Sequence, residues 1–441
     1  MSSVPTGWAS DRLKDVAAIN AVALSAGTDP DYEFDYLEIS NVDYHGIVDP
    51  IAIERLRFEE APSRARRRVA AGSTVISSVR PNLQAVAFFP DAPAHFVCST
   101  GFNVVEPQPS RLSPQFAYYH LISENARQYF EAAATGVGYP AVGDKEFNAI
   151  AVPLPLLPEQ QRIAAYLDAS CAAIDAAVAA KRRQLETLNA LRKTIITRAV
   201  TRGIEDKATL EPTGNVWMES IPRGWSLVCL KRIADIQTGL TLGKTYEGAL
   251  IERPYLRVAN VQDGHLHLED ITLIEVPANV AARVELRAGD VLMTEGGDLD
   301  KLGRGYLWNG QIPNCLHQNH IFAVRCFHHK LRPMFLAYAT ASNHGRDYFE
   351  STGKRTTNLA STNSTKVGLF PIPLPPITEQ DKICDFLDAK LMEVKRIASG
   401  IEAQIATLTA YRKSLIHECV TGQRRITEAD VTRAQDKRGP T

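Results

Sequence analysis

The chain has 441 residues, about three times the size of a usual single domain, so two or more folded units are expected. Hydrophobic residues make up 45% and charged residues 22%, which supports packed cores and excludes large-scale disorder. Because 49 Lys and Arg residues balance 50 Asp and Glu residues, the net charge of -1 excludes binding of nucleic acid by bulk positive charge alone.

The first 151 residues are predicted to form a mixed α+β domain. Short β-branched or aromatic runs bounded by turn residues predict strands at 73–79, 86–89 and 102–105, and a helix is predicted over 114–134. The candidate DNA contacts here are basic side chains, since arginine can read guanine and neutralise phosphate: Arg64, Arg66, Arg67, Arg68 and Arg80. The alternative for 64–68 is a solvated helix surface beside acidic residues.

A duplicated segment follows this domain. Residues 152–201 align without a gap on residues 372–421, and 18 of the 50 pairs are identical, where about three are expected by chance. The segments that precede the two copies resemble each other only weakly. We therefore predict a tandem duplication in which two connecting segments share one task and two variable domains differ.

Each connecting segment is predicted to be one long helix. Prolines hold its start extended, and then no proline occurs until Pro212 in the first copy or Pro440 in the second. Apolar residues form one narrow stripe at helical spacing, and about 40 residues at about 1.5 Å each give about 60 Å. An antiparallel coiled coil of the two helices is favoured, and packing of each helix on its own domain is the alternative.

Residues 207–370 are predicted to form the second mixed domain. Strands are predicted at 255–258, 291–293 and 321–324, and a helix over 332–350. The candidate DNA contacts comprise basic residues, amides suited to adenine and a polar loop: Lys301, Arg304, Gln318, Asn319, His320, Lys354, Arg355, Thr356, Thr357 and Asn358. The alternative for each is a solvated loop or charge run.

The predicted organisation thus alternates two domains and two helices. Its boundaries are variable domain 1 at 1–151, the first helical region at 152–206, variable domain 2 at 207–370, the second helical region at 371–426 and a tail at 427–441. The fold class is α+β, with a pseudo-twofold internal repeat.

Motifs for catalysis are absent from the sequence. The segment 239–245 is one residue short of a phosphate-binding loop, because Thr238 stands where its first glycine belongs. The histidines around His317 lack ligand-spaced partners, so no metal site is expected. Seven scattered cysteines, with no leader and no spanning run, predict a cytoplasmic protein. A binding protein is favoured over an enzyme, and a protein-binding scaffold with a coiled-coil spacer is the main alternative.

The duplicated signature (I/V)-P-L-P-x-(L/I)-x-E-Q, at 152–160 and 372–380, precedes helices that end in Leu-Arg-Lys or Tyr-Arg-Lys. With Gly224-Trp225 and the run 315–320, it resembles the specificity subunits of type I restriction-modification enzymes over essentially the whole chain. The resemblance implies a prokaryotic, non-catalytic subunit whose two domains each read half of a bipartite site in double-stranded DNA, while the helices set the spacer between the halves.

The same resemblance implies the partners and their cofactors. Two copies of a methyltransferase subunit carrying S-adenosylmethionine would dock on the helices, and restriction subunits using ATP and Mg could join, while this chain holds no cofactor. The residues of the signature and helix ends implied for docking are Pro153, Pro155, Glu159, Gln160, Arg192, Lys193, Pro373, Pro375, Glu379, Gln380, Arg412 and Lys413.

Overall fold

A computed structural model describes most of the chain. The residues described are 5–43, 46–80, 85–136, 138, 140–205, 207–241, 243, 246–262, 264–297, 302–355 and 360–436. They form two compact units, of which the first comprises Met1–Arg182 with Glu402–Thr441 and the second Arg183–Ile401. Each unit therefore holds one variable domain and a part of both long helices.

The described residues of the first unit form ten strands and several short helices before the first long helix. The strands are β1 Ala9–Arg12, β2 Ala17–Ile19, β3 Glu33–Leu37, β4 Glu54–Arg57, β5 Ala65–Arg68, β6 Ser73–Ser77, β7 Val86–Phe89, β8 Phe96–Ser99, β9 Phe102–Pro107 and β10 Ala151–Leu154. The helices are α1 Leu13–Val16, α2 Pro114–Leu121, α3 Glu124–Ala133, α4 Asp144–Asn148 and the start of α5 Leu157–Arg202.

Three sheets build this domain. An antiparallel sheet has the order β2-β9-β6-β7, and all five residues of β6 are buried, as expected of a central strand. A second sheet has the order β4-β3-β8-β5, in which β3 and β8 run parallel. The strands β1 and β10 pair antiparallel, so the start of the chain is joined to the segment that leads into α5.

The second unit contains the remaining strands. They are β11 Leu210–Asn215, β12 Met218–Pro222, β13 Ser226–Cys229, β14 Ala234–Thr238, β15 Ile251–Leu256, β16 Val261–Gln262, β17 His265–Leu266, β18 Thr272–Val276, β19 Asp290–Thr294, β20 Gly296–Gly297, β21 Gly305–Leu307, β22 Leu316–His317, β23 Ile321–Cys326, β24 Lys354–Arg355, β25 Ala360–Ser361 and β26 Pro371–Leu374. The helices are α6 Ala278–Val284, α7 Pro333–Ala341, α8 Asn343–Thr352, α9 Ser364–Leu369 and most of α10 Ile377–Val420, while α11 Glu428–Asp436 belongs to the first unit.

The duplication predicted from the helical segments extends to the topology of the domains. The order β14-β23-β19-β21 repeats the first sheet of unit one. The order β18-β15-β22 repeats three of the four strands of the second sheet, β4-β3-β8, including its parallel pair, here β15 and β22. The strands β13 and β26 pair just as β1 and β10 do. The two variable domains are therefore copies of one α+β scaffold, as predicted.

The long helices pack against each other within each unit. In the first unit, one core contains Ile163 and Leu167 from α5 together with Leu415 and Val420 from α10. The guanidinium of Arg162 bonds to the carbonyl of Ile426 at 2.8 Å, and Arg412 pairs with Asp175 at 2.9 Å, so the helices run antiparallel. In the second unit, the end of α5 shares a core with the start of α10. These contacts confirm the predicted antiparallel pair.

The helix α5 is long and apolar enough, by length and composition, to cross a membrane, whereas the sequence analysis predicted no such helix. The core helix of a soluble protein meets the same criterion. The apolar side chains Ile163, Leu167 and Ile174 of α5 are buried in the protein core.

Two predicted helices are each divided in the structure. A serine ends the first part and caps the second, since Ser123 Oγ accepts from the backbone N–H of Ala126 at 3.4 Å, and Ser342 Oγ accepts from that of Gly345 at 3.2 Å. The segment 65–68 is a strand rather than a helix surface, because its backbone pairs with β8.

Candidate nucleic-acid interface

A buried glutamine attaches each domain to the start of a long helix. The side chain of Gln160 accepts from the backbone N–H of Ser113 at 2.8 Å and donates to the carbonyls of Arg111 and Pro155, both at 2.9 Å. Its exposure is 1%. These three bonds join α5 to the residues that precede α2 and to the proline-rich segment.

The second copy repeats this arrangement with the same distances. The side chain of Gln380 accepts from the N–H of Arg332 at 2.8 Å and donates to the carbonyls of Lys330 and Pro375 at 2.9 Å. Because both side chains are buried and engaged within the chain, we correct their predicted docking role: these glutamines hold the domains on the helices.

A second repeated contact lies about two helical turns further along. The hydroxyl of Tyr119 donates to Asp168 at 2.7 Å, and the hydroxyl of Tyr338 donates to Asp388. Burial is the largest cause that raises the pKa of each phenol, so both remain protonated donors. The domains are thus held on the helices at two points in each copy.

The other signature residues divide into internal and exposed groups. The Glu379 carboxylate accepts from the indole N–H of Trp225 at 3.1 Å, and Glu159 pairs with Arg425 at 3.0 Å. The prolines Pro153 and Pro373 lie in β10 and β26, and Pro155 and Pro375 supply carbonyls to the glutamines. Arg412 pairs with Asp175, Arg192 is partly buried, and Lys193 and Lys413 are exposed.

Three arginines of the first domain are engaged within it. Arg64 pairs with Glu38, and the Arg66 guanidinium lies 4.5 Å from the centre of the Phe58 ring. Arg67 bonds to the carbonyl of Phe102 and to Asn103 Oδ1, the latter at 2.9 Å.

Arg67 extends from one sheet to the other, because its acceptors lie on β9 while it lies on β5. Burial lowers the pKa of its guanidinium. Arg67 therefore joins the two sheets, and its contact with DNA stays a prediction. The side chains of Arg68 and Arg80 are exposed, and the backbone N–H of Arg80 bonds to Pro140 at 2.7 Å.

The structure brings together separate candidate segments of the second domain. The strands β20, β24 and β25 form a small sheet that contains Lys354 and the backbone of Arg355. Glu295 directly precedes this sheet, and its N–H donates to the carbonyl of His320 at 2.9 Å. Residues 318–320 therefore lie beside the short sheet that contains Lys354 and Ala360–Ser361.

The side chains on this surface differ in their exposure and in their hydrogen bonds within the chain. Gln318 accepts from the backbone N–H of Val258 at 3.2 Å, so its amide is oriented, while His320 is exposed and bonded to Glu295. Lys354 is exposed, and Arg304, partly buried, supplies its carbonyl to the N–H of Thr294 at 3.0 Å. Asn319 is partly buried. The candidates Lys301, Thr356, Thr357 and Asn358 lie outside the described residues.

The first domain repeats the backbone hydrogen bonds of Glu295 at the equivalent residue, Ser78. The N–H of Ser78 donates to the carbonyl of Gly101 at 2.9 Å, and Val142 donates to Ser78, also at 2.9 Å. No sequence pattern marks Ser78 and Glu295, and only the pairing of the strands before them shows that they occupy equivalent positions.

The histidine His317 is structural. It is buried, and its Nδ1 bonds to the carbonyl of Ile321 at 3.0 Å. Burial lowers the pKa of this ring to about 4. Within the described ranges, no group of three potential metal ligands occurs.

Comparison with known proteins agrees with this architecture. Residues 5–187 match the family model of the type I restriction modification DNA specificity domain. The chain is 23% identical over 337 residues to the EcoKI specificity subunit of Escherichia coli K12, which covers 74% of this chain and 69% of that one. A putative MjaX specificity subunit of Methanocaldococcus jannaschii is 25% identical, and the match spans about half of each chain, 46%.

Solved structures share the fold. A chain from a study of complex assembly in the type I R-M system matches with a TM-score of 0.76 and 23% identity, covering 96% of this chain and 100% of that one. The HsdS subunit from Thermoanaerobacter tengcongensis matches with a TM-score of 0.53 and 22% identity, covering 96% and 98%.

The chain thus contains two copies of one α+β scaffold, each joined to the long helices. The chain is similar to the specificity subunits of type I restriction-modification systems in sequence, and it shares its fold with solved chains from such systems.

Proposed function

We propose that this chain selects the DNA target of a type I restriction-modification complex, with each variable domain reading one half of a bipartite site in double-stranded DNA. The observation that carries the proposal is the repeated scaffold with different side chains at its loops. The buried side chains of Gln160 and Gln380 hold both domains on the helices through the same set of hydrogen bonds. Equivalent loop positions are occupied by Ser78 in one domain and by Glu295 in the other. A protein built in this way attaches two domains to the helices by the same contacts while their loops differ, so each domain can recognise a different DNA sequence.

The long helices determine the spacer between the half-sites. Each is a single helix of 46 or 44 residues that belongs partly to one unit and partly to the other. A helix is a stiff element with a fixed rise per residue, so its length is suited to act as a ruler. Joining two weak readers on such a support makes the second contact intramolecular and raises avidity.

The helices also dock two copies of a methyltransferase subunit. Large apolar side chains on them are exposed in the described structure, namely Leu191, Met392, Ile397 and Tyr411. Exposed apolar residues amid polar ones are typical of partner interfaces. The exposed Lys193 and Lys413 remain candidates for the same interface.

The partners supply the chemistry. S-adenosylmethionine binds to the methyltransferase subunit, ATP and Mg bind to a restriction subunit where one is present, and the complex acts in the prokaryotic cytoplasm on adenine N6. This chain contributes sequence selection only. Purified chain that cleaves DNA with Mg²⁺ alone would contradict this assignment.

The test is long-read mapping of methylated adenines in the source strain and in a strain lacking this gene. We expect one bipartite motif to lose its methylation when the gene is deleted and to regain it on complementation. Methylation that is identical in the two strains would reject the proposal and favour a protein-binding scaffold, which has no reason to affect a DNA motif.

A further inference from the structure

The second variable domain holds an exposed pair of a carboxylate and an imidazole beside its candidate loops. Nδ1 of His320 lies 2.5 Å from Oε2 of Glu295, and the two side chains are 52% and 26% exposed. The backbone fixes both residues, because the N–H of Glu295 bonds to the carbonyl of His320 and its carbonyl accepts from Thr362 at 2.8 Å. The pair is thus held in place and open to solvent.

The pairing determines which ring atom is available to a ligand. An ionised carboxylate only accepts hydrogen bonds, so the ring must carry its proton on Nδ1 of His320 to bond with Glu295. In the neutral ring, Nε2 is then an acceptor. An acceptor held at a DNA-contacting surface matches the exocyclic amino groups of adenine and cytosine, which the major groove exposes as donors.

The first domain has neither side chain at the equivalent positions. Ser78 replaces Glu295 and Gly101 replaces His320 in the same backbone frame, where Ser78 Oγ donates to the carbonyl of Gly101 at 3.0 Å. The two copies of the scaffold therefore differ in hydrogen-bonding chemistry where their backbones agree. Two readers of different half-sites require a difference of this kind.

We propose that Glu295 and His320 form a specificity-determining pair of the second domain, in which Nε2 of His320 accepts from the amino group of an adenine or cytosine and Glu295 positions the ring. This inference rests on the proposed function, and it names the chemistry that one half-site must contain.

To test this inference, the His320→Ala variant is expressed with the cognate methyltransferase, and methylated adenines are mapped by long-read sequencing. Discrimination at one A or C position in one half-site should fall about tenfold, with the other half-site unchanged. If the alanine variant does not fold, His320→Phe keeps a ring of similar shape without nitrogens and should give the same relaxation. The wild-type base at the relaxed position distinguishes adenine from cytosine.

The positioning role of Glu295 has its own readout. Glu295→Gln keeps an oxygen that accepts from Nδ1 and should keep the motif, whereas Glu295→Ala should relax the same position as His320→Ala. A matched control is His267→Ala, which breaks the exposed His267–Glu269 pair of the same domain, whose atoms are 3.5 Å apart. This control should leave the motif unchanged.

An unchanged motif in folded His320→Ala overturns the inference, as does relaxation at a G or T position. These results leave the proposed function intact, because the wild-type chain still directs a bipartite motif. If the wild-type chain directs no motif, it is the proposed function that fails.

Discussion

At the scale of single residues, the structure depends on buried amides. Replacing Gln160 or Gln380 by alanine leaves one backbone N–H and two carbonyls without partners in a buried site. We expect each variant to lower the free energy of unfolding by about 3 kcal/mol, since an unsatisfied buried group costs about 1–3 kcal/mol. Urea denaturation measures the loss, and the exposed neighbour Gln161→Ala, with a change within about 0.5 kcal/mol, is the control.

Two buried histidines predict acid sensitivity. Burial lowers the pKa of His120 and of His317 to about 4, from an ordinary value of 6.5. The unfolded chain binds the proton more tightly than the folded one, so stability is complete above about pH 6.5 and falls as the pH decreases toward 4. We expect each ring to remove about 2 kcal/mol between pH 7 and pH 5.

Urea unfolding at both pH values tests this expectation. His317→Asn should reduce the pH dependence, and exposed His329→Ala should not. Equal dependence in His317→Asn and wild type would show that the buried ring is not responsible.

The residue scale is also where the sequence was least informative. The signature containing Gln160 was recognisable from its repetition, but its role depends on Ser113 and Arg111, nearly 50 positions away. Arg67 looked like a DNA contact because basic residues cluster around it, yet the pairing of β5 directs it toward Phe102. Such roles depend on which distant segments pair and in which register, and a single sequence does not reveal this pairing.

At the scale of elements, the long helices predict a ruler. Inserting four residues after Leu185 adds about 6 Å, at about 1.5 Å per residue, against 3.4 Å per base pair. We expect the recognised spacer to lengthen by about one or two base pairs. The site lies where α5 passes from one unit into the other, and a matching insertion after Ile401 keeps the helix pair in register.

Mapping of methylated adenines measures the spacer. The control inserts the same four residues after Gly214, in the hairpin of β11 and β12, and should leave the spacer unchanged. A constant spacer in the helix variant would reject the ruler.

Exposed apolar residues on the helices predict the docking face. Met392 is 72% exposed on α10, so Met392→Glu should fold normally and yet retain less than about a tenth of the methyltransferase subunit in co-purification. Leu273→Glu, at a 56% exposed residue of β18, is a control of the same chemistry away from the helices. Equal retention by both variants would exclude this face.

Elements were predictable where a pattern is long and local. The uninterrupted stripe predicted α5 and α10, and the repeat predicted two copies of a domain. The break between α2 and α3 was not predicted, because Ser123 is compatible with a helix until its hydroxyl caps the next one. Short strands such as β20 and β24 depend on pairing between distant segments and leave no local pattern.

At the scale of the whole molecule, charge limits what the chain can do alone. Residues 1–150 contain 12 basic and 18 acidic residues, and 207–370 contain 18 basic and 16 acidic ones, so neither variable domain has a large excess of positive charge. Affinity for DNA comes largely from neutralising phosphates with Lys and Arg and from the counterions released. In this protein, the side chains of Arg64, Arg66 and Arg67 are also engaged internally.

We therefore expect the chain alone to bind its cognate duplex weakly and its methyltransferase partner to supply much of the positive surface. Fluorescence anisotropy at fixed salt should give a Kd at least about tenfold higher for the chain alone than for the complex. The logarithm of affinity should also fall less steeply with the logarithm of salt concentration for the chain alone, because fewer phosphates are contacted. A duplex with scrambled half-sites and the same spacer controls for nonspecific binding. Tight binding by the isolated chain, with a steep salt dependence, would mean that its few exposed basic residues carry the affinity themselves.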